Sequence, residues 1–128
     1  MALPVAVALA AVAAVSRLHS CQEMVTRVTT FEGKPEQIEE GVRLFTETTL
    51  PWLRDATGFR GWLALHDRAH DRAIGITFWT SEEAADAGNE KGGPFRDEIS
   101  DNVGTRMTSF ELYEVIYTDG MTFSASTG

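Results

Sequence analysis

The segment GITFWTSEEAADAG, residues 75–88, predicts a strand that passes directly into a helix. Its first five residues are apolar or β-branched, which is typical of a strand in a buried sheet. Ser81 follows in the position of a helix N-cap, with Glu82 and Glu83 in the first turn, where carboxylates are favourable. Trp79 ends the strand at this corner, so its indole either fills a core or lines a pocket.

Three further segments have the alternation and composition of strands. They are residues 24–31, 58–66 and 110–117, and the second of them forms a hairpin with the strand at 72–79. The loop of this hairpin is predicted at residues 67–71.

Two regions between the strands predict helices. The first begins at Pro35, a favoured residue at a helix start, and extends to about Leu53, with Pro51 expected to kink or end it. The second follows Trp79 and is expected to break at the glycine–proline run 91–94, before a short helix at 95–103. The order β-α-β-β-α-β predicts an α+β ferredoxin-like sandwich, with helices on one face of an antiparallel sheet.

Composition predicts one folded domain with an extension at each end. Of 128 residues, 43% are hydrophobic, which is enough for a core. We assign residues 1–23 to an apolar N-terminal extension, residues 24–118 to the domain and residues 119–128 to a flexible tail. The extension lacks the basic start of a signal peptide, so Met24 is the predicted working start and the cytoplasm the predicted location. Export follows instead if residues 1–23 are a genuine signal segment.

The charge and the cysteine content exclude several classes of partner. The net charge is -8, which disfavours both nucleic acid and anionic membrane surfaces. Cys21 is the single cysteine, so the chain can form neither an intrachain disulfide nor a cysteine-rich metal site.

The later strands carry apolar or aromatic side chains on both faces, whereas two helices cover only one face of a sheet. We interpret five residues as belonging to an uncovered face: Trp62, Ala64, Trp79, Tyr113 and Val115. An exposed apolar patch of that extent favours an interface. The sequence therefore predicts a homodimer that packs through the sheet face.

The motifs GFRGW at 58–62 and FWTSEEA at 78–84, with the hairpin between them, resemble the antibiotic biosynthesis monooxygenase family. The resemblance extends from Met24 to about Tyr117. It implies a dimeric α/β barrel and a cofactor-independent monooxygenase acting on an aromatic or quinol-type substrate. The alternative is a non-catalytic dimeric module that binds a small apolar ligand or a partner protein, because a fold alone does not assign an activity.

The haem-degrading branch of that family is disfavoured. The resemblance implies an Asn on the first strand, a Trp at the end of the third and a helical His that binds iron. Trp79 matches, whereas Thr26 and Ile99 occupy the other two positions. Isoleucine cannot bind iron, so we predict no haem and no other cofactor.

The candidate catalytic residues are Trp79 and His66, and the candidate ligand-binding residues are Trp79, Arg27 and Tyr113. Aromatic rings can form the walls of a pocket for an apolar ligand, and a few polar groups orient it. His66 is included because imidazole titrates near neutral pH. Arg27 is expected to pair across the sheet with Glu114.

The segment HDRAHD, residues 66–71, contains two histidines and two aspartates, which could suggest a metal site. Its interpretation as a hairpin loop is stronger, because aspartate favours turns and Arg68 and Arg72 would oppose a cation. No metal site is therefore predicted.

Overall fold

One antiparallel sheet of four strands forms the base of the domain in the computed structural model, which describes residues 24–123. The strands are β1 (Val25–Glu32), β2 (Phe59–Asp67), β3 (Arg72–Trp79) and β4 (Arg106–Glu114), and their order across the sheet is β2-β3-β1-β4. Helices pack on one face, which confirms the predicted α+β ferredoxin-like sandwich. The sheet of this chain is open. The predictions for residues 1–23 and 124–128, including the one for Cys21, lie outside the described residues.

Helical segments connect β1 to β2 and β3 to β4. They are α1 (Pro35–Leu44), a π-helical turn (Phe45–Thr49), α2 (Leu50–Arg54) and α3 (Glu82–Val103). The first predicted helix is confirmed in its extent, although its middle turn widens to the π form. Pro51 lies in the first turn of α2, where the missing N–H is tolerated. None of the helices within residues 24–123 is both long and apolar enough to cross a membrane.

The predicted break at residues 91–94 is wrong, because α3 is a single helix of 22 residues that continues through Pro94. The glycines of this helix serve packing. A Cβ on Gly88 would lie 2.2 Å from Cη2 of Trp79, and one on Gly92 would lie 3.2 Å from Cζ3 of Trp52. Pro94 is exposed, so its ring meets water and not the core. The helix therefore contains residues of low helix propensity, because larger side chains would overlap the two tryptophan rings.

Cross-strand pairing defines which side chains share a face of the sheet. The helix-facing side contains the row Leu112–Arg27–Thr77–Trp62 and the row Phe110–Thr29–Gly75–Ala64, each running from β4 to β2. The outer face carries Leu63, Leu65, Ile74, Ile76, Phe78 and Tyr113. The predicted uncovered face is therefore wrong for Trp62, Ala64 and Trp79, which face the helices. Tyr113 lies on the outer face, as predicted.

A β-bulge between Phe59 and Gly61 changes the alternation at the start of β2. It brings Phe59 opposite Trp79, and the two rings pack edge to face with centroids 5.5 Å apart. Simple alternation places Phe59 on the same face as Leu63, whereas the bulge turns it towards the helices. This end of the domain is its best-packed region, with Leu53, Trp79 and Ala85 almost fully enclosed.

Candidate functional site

A cavity lies between the helices and the sheet. Its volume, counted as the space open to the centre of a water molecule, is about 150 Å³. Its floor consists of the small side chains of Ala64, Ala73 and Gly75, next to Thr29. Because these residues are short, they leave the space between the sheet and the helices unfilled. A dry apolar cavity of about this volume is sufficient for an aromatic ring.

The π-helical turn contributes to the roof of the cavity. Phe45 and Thr49, its first and last residues, both line the cavity, together with Ile38 and Val42 of α1. A π turn inserts an extra residue, which shifts the side chains that follow it around the helix axis. Such turns are frequent at functional sites. The roof is therefore mainly apolar, with one buried hydroxyl from Thr49.

Trp79 lies at the packed end of the cavity and is only 2% exposed. Its Nε1–H donates to Oγ1 of Thr77 at 2.8 Å, so its polar atom is satisfied within the protein. Its ring fills the space left by Gly88. The sequence left two alternatives for Trp79, a core residue or the wall of a pocket. Trp79 belongs to the core, and one side of it also borders the cavity.

Trp62 lies beside the open space of the cavity, which we call its hollow end, on the same face of the sheet as Trp79. Its ring packs on Phe45, with centroids 4.7 Å apart, and it lines the cavity. Its Nε1 lies over Gly75, since a Cβ added to that glycine would be 3.8 Å from it. Thr77 is its direct neighbour on β3, but that hydroxyl already accepts from Trp79. Within residues 24–123, the indole nitrogen of Trp62 donates to no other residue, and it is not among the enclosed polar atoms.

Arg27 lines the cavity beside Thr77, its partner on β3. Its side chain is 15% exposed, and its Nη2 donates to Asp86 of α3 at 2.7 Å. The predicted pairing of Arg27 with Glu114 is therefore wrong. Glu114 stands beside Val25, two pairs further along the strand, whereas Asp86 reaches the guanidinium from above.

Two guanidinium groups meet at the ring of Phe110. The Cζ atoms of Arg27 and Arg96 lie 4.5 and 4.7 Å from its centroid, respectively. Arg96 also donates from Nη1 to Oδ1 of Asn89 at 2.9 Å, and Asn89 lines the cavity. Among the residues that line the cavity, these two arginines are the ionisable ones. The Nε of Arg27 is enclosed and has no hydrogen-bond partner.

The other two sequence candidates do not reach this cavity. His66 is on the helix-facing side of β2 but beyond the cavity lining, with its Nε2 enclosed and unpartnered. Tyr113 is on the outer face, where its hydroxyl donates to Glu111, and that hydrogen bond raises the pKa of Tyr113. The structure thus brings together Trp79 and Arg27 and separates His66 and Tyr113 from them.

The HDRAHD segment forms a structured hairpin end. Asp67 interacts with Nδ1 of His70 and accepts from Arg72, each at 3.0 Å. Asp71 adopts a left-handed conformation, with φ of 53°, and pairs with Lys34. In the part of the chain that the structure describes, no cluster of three or more His, Cys, Asp or Glu residues is placed to hold a metal ion.

The two positions compared with haem-degrading proteins differ in location. Ile99 lines the cavity from α3, whereas Thr26 faces the outer side, opposite Phe78. The residues of β1 that line the cavity are Arg27, Thr29 and Phe31. The match of Thr26 to the family's first-strand Asn stays a prediction.

Sequence reasoning preferred an interface for Trp62 over a place in the wall of a pocket, and it missed Arg96 and Asn89 as residues of the cavity. One signal was available for Trp62: its face of the hairpin also carries Ala64, Ala73 and Gly75, which leave open space beside a large ring. Arg96 and Asn89 were hidden because the helix that carries them was predicted to break between them.

No family model matches the chain, and no curated protein sequence matches it. Solved structures do match. SnoaB, a cofactor-independent oxygenase from Streptomyces nogalater, superposes with a TM-score of 0.52 at 20% identity, over 78% of this chain and 96% of that one. A monooxygenase from the gene ActVA-Orf6 of Streptomyces coelicolor, in complex with nanaomycin D, gives a TM-score of 0.59 at 18% identity, over 79% and 92% of the chains.

A protein of Nitrosomonas europaea assigned to the antibiotic biosynthesis monooxygenases gives a TM-score of 0.57 at 15% identity, over 77% of this chain and 95% of that one. At these identities the likeness establishes the fold. This chain therefore has the fold of the antibiotic biosynthesis monooxygenases, as its sequence motifs imply.

Proposed function

We propose that this protein is a cofactor-independent monooxygenase that binds an aromatic or quinol-type substrate between the helices and the sheet. The observation that carries the proposal is the cavity lining, which combines apolar walls with Arg27 and Arg96 as its ionisable residues. Apolar walls bind a flat ring, and a guanidinium favours the ionised form of a hydroxyl on that ring. Two of the solved structures with this fold, SnoaB and ActVA-Orf6, are oxygenases, which supports the proposal.

In this reaction the substrate supplies its own electrons. Loss of a proton from a ring hydroxyl or from a CH₂ group beside a carbonyl gives an anion that can reduce O₂. One oxygen atom then remains on the carbon as a carbonyl, and the other leaves as water with the two hydrogens of the CH₂. No external reductant is consumed, so the protein needs to bind the anion, hold its ring and exclude water.

The residues divide these tasks by position. Arg27 stabilises the anion electrostatically, because its guanidinium is largely enclosed and lines the cavity. Trp62 and Trp79 form two aromatic walls on adjacent strands. His66 lies outside the cavity lining, so we assign it no role as general base, in contrast to the expectation from the sequence.

Oxygen uptake tests the proposal. Purified protein is supplied with a panel of hydroxylated anthrones and quinols, alongside Arg27→Gln and a control, Trp52→Phe, whose ring lies outside the cavity lining. We expect saturable uptake that falls at least about tenfold in Arg27→Gln, since a charge-assisted contact is lost, and that persists in Trp52→Phe. Absence of uptake with every substrate would contradict catalysis and leave the non-catalytic binding module as the interpretation.

We also propose that two copies associate through the outer face of the sheet. That face is aliphatic, with Leu63 39% and Leu65 46% exposed, and the helices do not cover it. Phe123 of the chain's own C-terminal segment packs on Phe78 and covers one end, with ring centroids 4.9 Å apart. A second copy offers the same surface, aliphatic on β2 and β3 with Tyr113 and Glu111 on β4, and this favours an isologous dimer.

Sedimentation of wild-type protein and of Leu65→Lys tests the dimer. We expect a dimer for the wild type and a monomer for Leu65→Lys, because a buried lysine without a partner opposes association. A wild-type monomer at micromolar concentration would contradict the proposal. The predicted cytoplasmic location stays a prediction.

A further inference from the structure

We propose that molecules enter the cavity across the edge of the sheet at Ala64, which makes Ala64 a specificity-determining residue that limits the size of what enters. The inference rests on the proposed function and deepens it, since it assigns the route by which a substrate reaches the cavity. Ala64 lies on β2, the strand at one edge of the sheet. Its side chain is on the helix-facing side, in the row that also contains Gly75 and Thr29.

Ala64 differs from the rest of the cavity lining in its exposure to solvent. It is exposed, whereas every other lining residue in the part of the chain that the structure describes is buried or half-buried. Its neighbours on the same side of β2, Trp62 and His66, are half-buried, and Nε2 of His66 is enclosed. The cavity therefore meets solvent at one position of the strand edge.

Packed side chains close the other sides of the cavity. Trp79 fills its packed end. On the β4 side, the largely enclosed side chains of Arg27 and Arg96 both pack on one aromatic ring of that strand. Beyond them, Ser100 of α3 is buried, and its hydroxyl donates to the carbonyl oxygen of Thr105 at 2.9 Å. Among residues 24–123, these contacts leave the β2 edge as the side on which a ligand passes.

Two contacts connect the first helical region to the β2 hairpin, one on each side of Ala64 in the chain. The ring of Phe45, in the π-helical turn, packs on that of Trp62 with centroids 4.7 Å apart. Arg68, directly after β2, forms an ion pair with Glu39 of α1. The gap between these two contacts is the entrance, and the methyl group of Ala64 lies at its base.

The side chain at position 64 therefore decides how wide the entrance is. Side chains on one side of a strand recur every second residue, about 6.6 Å apart, so the gap above Ala64 from Trp62 to His66 spans roughly 13 Å. That span exceeds the width of an aromatic ring, but a bulky side chain at position 64 would fill its middle. Leu63 and Leu65 lie on the outer face, so association of two copies through that face leaves the entrance open.

A cysteine at position 64 tests the entrance within one folded protein. Ala64→Cys is made together with Cys21→Ser, so that the new thiol is the single one in the chain. After folding, a methanethiosulfonate reagent attaches either a methylthio or a benzylthio group to it. Binding of 2-naphthol is then followed by stopped flow through the fluorescence of the probe. We expect the benzylthio group to slow association and dissociation each about tenfold, and the methylthio group to slow them less than about twofold, because only the larger group fills the entrance.

The two rate constants together distinguish an entrance from a wall of the cavity. A group that obstructs passage slows entry and exit by the same factor, so the dissociation constant should stay within about twofold, whereas a changed wall contact alters mainly the dissociation rate. Reduction of the disulfide should restore both rates in the same sample. Ala87→Cys is the matched control, because Ala87 is an exposed alanine of α3 outside the cavity lining, and its benzylthio derivative should bind like the wild type.

Three outcomes would overturn the proposal: unchanged rate constants after benzylthio modification of Ala64→Cys, a weaker affinity at an unchanged association rate, or no binding of 2-naphthol by the wild type. Binding is measured without oxygen and without turnover. Slowed entry and exit combined with a failure of oxygen uptake would therefore contradict the proposed function and leave the entrance in place. Normal oxygen uptake with unchanged rate constants would overturn the entrance alone.

Discussion

Trp79 and Trp62 occupy adjacent strands on the same face of one sheet, yet their surroundings differ in every respect that decides a role. Trp79 is 2% exposed, packs on Phe59 and Gly88, and donates its N–H to Thr77. Trp62 is half-buried beside a row of small residues, and its N–H finds no acceptor in the described range. The difference indicates that Trp79 belongs to the packed core, whereas Trp62 borders the open space of the cavity.

Thr77 connects the two regions. It lies opposite Trp62 in the sheet, but its hydroxyl accepts from Trp79, two residues along its own strand. Side chains at positions i and i+2 of a strand share a face, which makes this contact possible. This hydroxyl lies next to two indoles and accepts from that of Trp79. Thr77 therefore lies at the boundary between the packed and the hollow ends of the cavity.

The largest expected effect is on stability at the packed end. Trp79→Ala should lower the free energy of unfolding by about 3–5 kcal/mol, the usual cost of removing a buried indole. Trp62→Ala should cost less than half of that, because its ring already borders open space. Urea unfolding monitored by circular dichroism measures both. Equal losses in the two variants would remove the distinction between the packed and the hollow ends.

Gly88→Ala should destabilise the protein by about 2–3 kcal/mol, because the added methyl group would overlap a rigid ring. Three atoms of Trp79 would lie within 2.9 Å of the new Cβ. Gly93→Ala is the matched control on the same helix, since its Cβ would meet only the flexible ends of Asn89 and Arg96, at 3.3 and 3.4 Å. There the higher helix propensity of alanine should leave the stability unchanged or slightly raised. A neutral Gly88→Ala would mean that α3 moves freely relative to Trp79.

The order and type of the strands were predictable because they depend on local patterns. Alternation in β1 and β4, the cap at Ser81 and the hairpin between β2 and β3 all follow from neighbouring residues. Their combination was enough to identify the fold class. The continuity of α3 was not predictable in this way, because its glycines make room for the rings of Trp52 and Trp79, which belong to other elements.

Alternation separates the two faces of a strand but does not say which face is inside. The sequence argument took the face with Trp62 and Trp79 as uncovered, yet the helices cover it and leave the aliphatic face with Leu63 and Ile76 outside. Both faces are apolar, so hydrophobicity could not decide between them. The small residue Gly75 was the better indicator, because a cavity under helices needs short side chains and an interface does not.

Of the four candidate site residues chosen from the sequence, two line the cavity. Trp79 and Arg27 could be chosen from residue type and strand position, and both line the cavity. Tyr113 does not reach the cavity because it lies on the outer face, and His66 does not because the cavity ends before the end of β2. Arg96 depends on a tertiary contact with Phe110, which no local pattern contains.

Thr77→Val tests the hydrogen bond at the boundary between the two regions. The variant keeps the shape of the side chain but leaves the buried N–H of Trp79 without an acceptor, so the free energy of unfolding should fall by about 1–2 kcal/mol. Thr77→Ser retains the acceptor and should restore most of that loss. Calorimetric melting of the three proteins measures the effect. Equal melting temperatures for Thr77→Val and the wild type would show that Trp79 finds another acceptor.

The smallest expected effect lies at the hairpin end, far from both tryptophans. Hydrogen bonds from His70 and then from Arg72 lower the pKa of Asp67 below its ordinary value of 3.8. A carboxyl with a lowered folded-state pKa adds stability above its unfolded pKa and loses it as the pH falls through the folded one. Asp67→Asn should therefore melt slightly below the wild type at neutral pH, and the gap should close in acid below the ordinary pKa.

Asp101→Asn is the control for this pH dependence, because Asp101 is exposed on α3 and lies outside the hairpin network. Its melting temperature should follow that of the wild type throughout the acid range. The effect at Asp67 is limited because the hairpin network is exposed to solvent, where water screens ion pairs. A gap between Asp67→Asn and wild type that persists in strong acid would mean that the carboxylate charge is not what holds the hairpin. It would then be the geometry of the turn at Asp71, with its left-handed backbone, that fixes this end of β2 and β3.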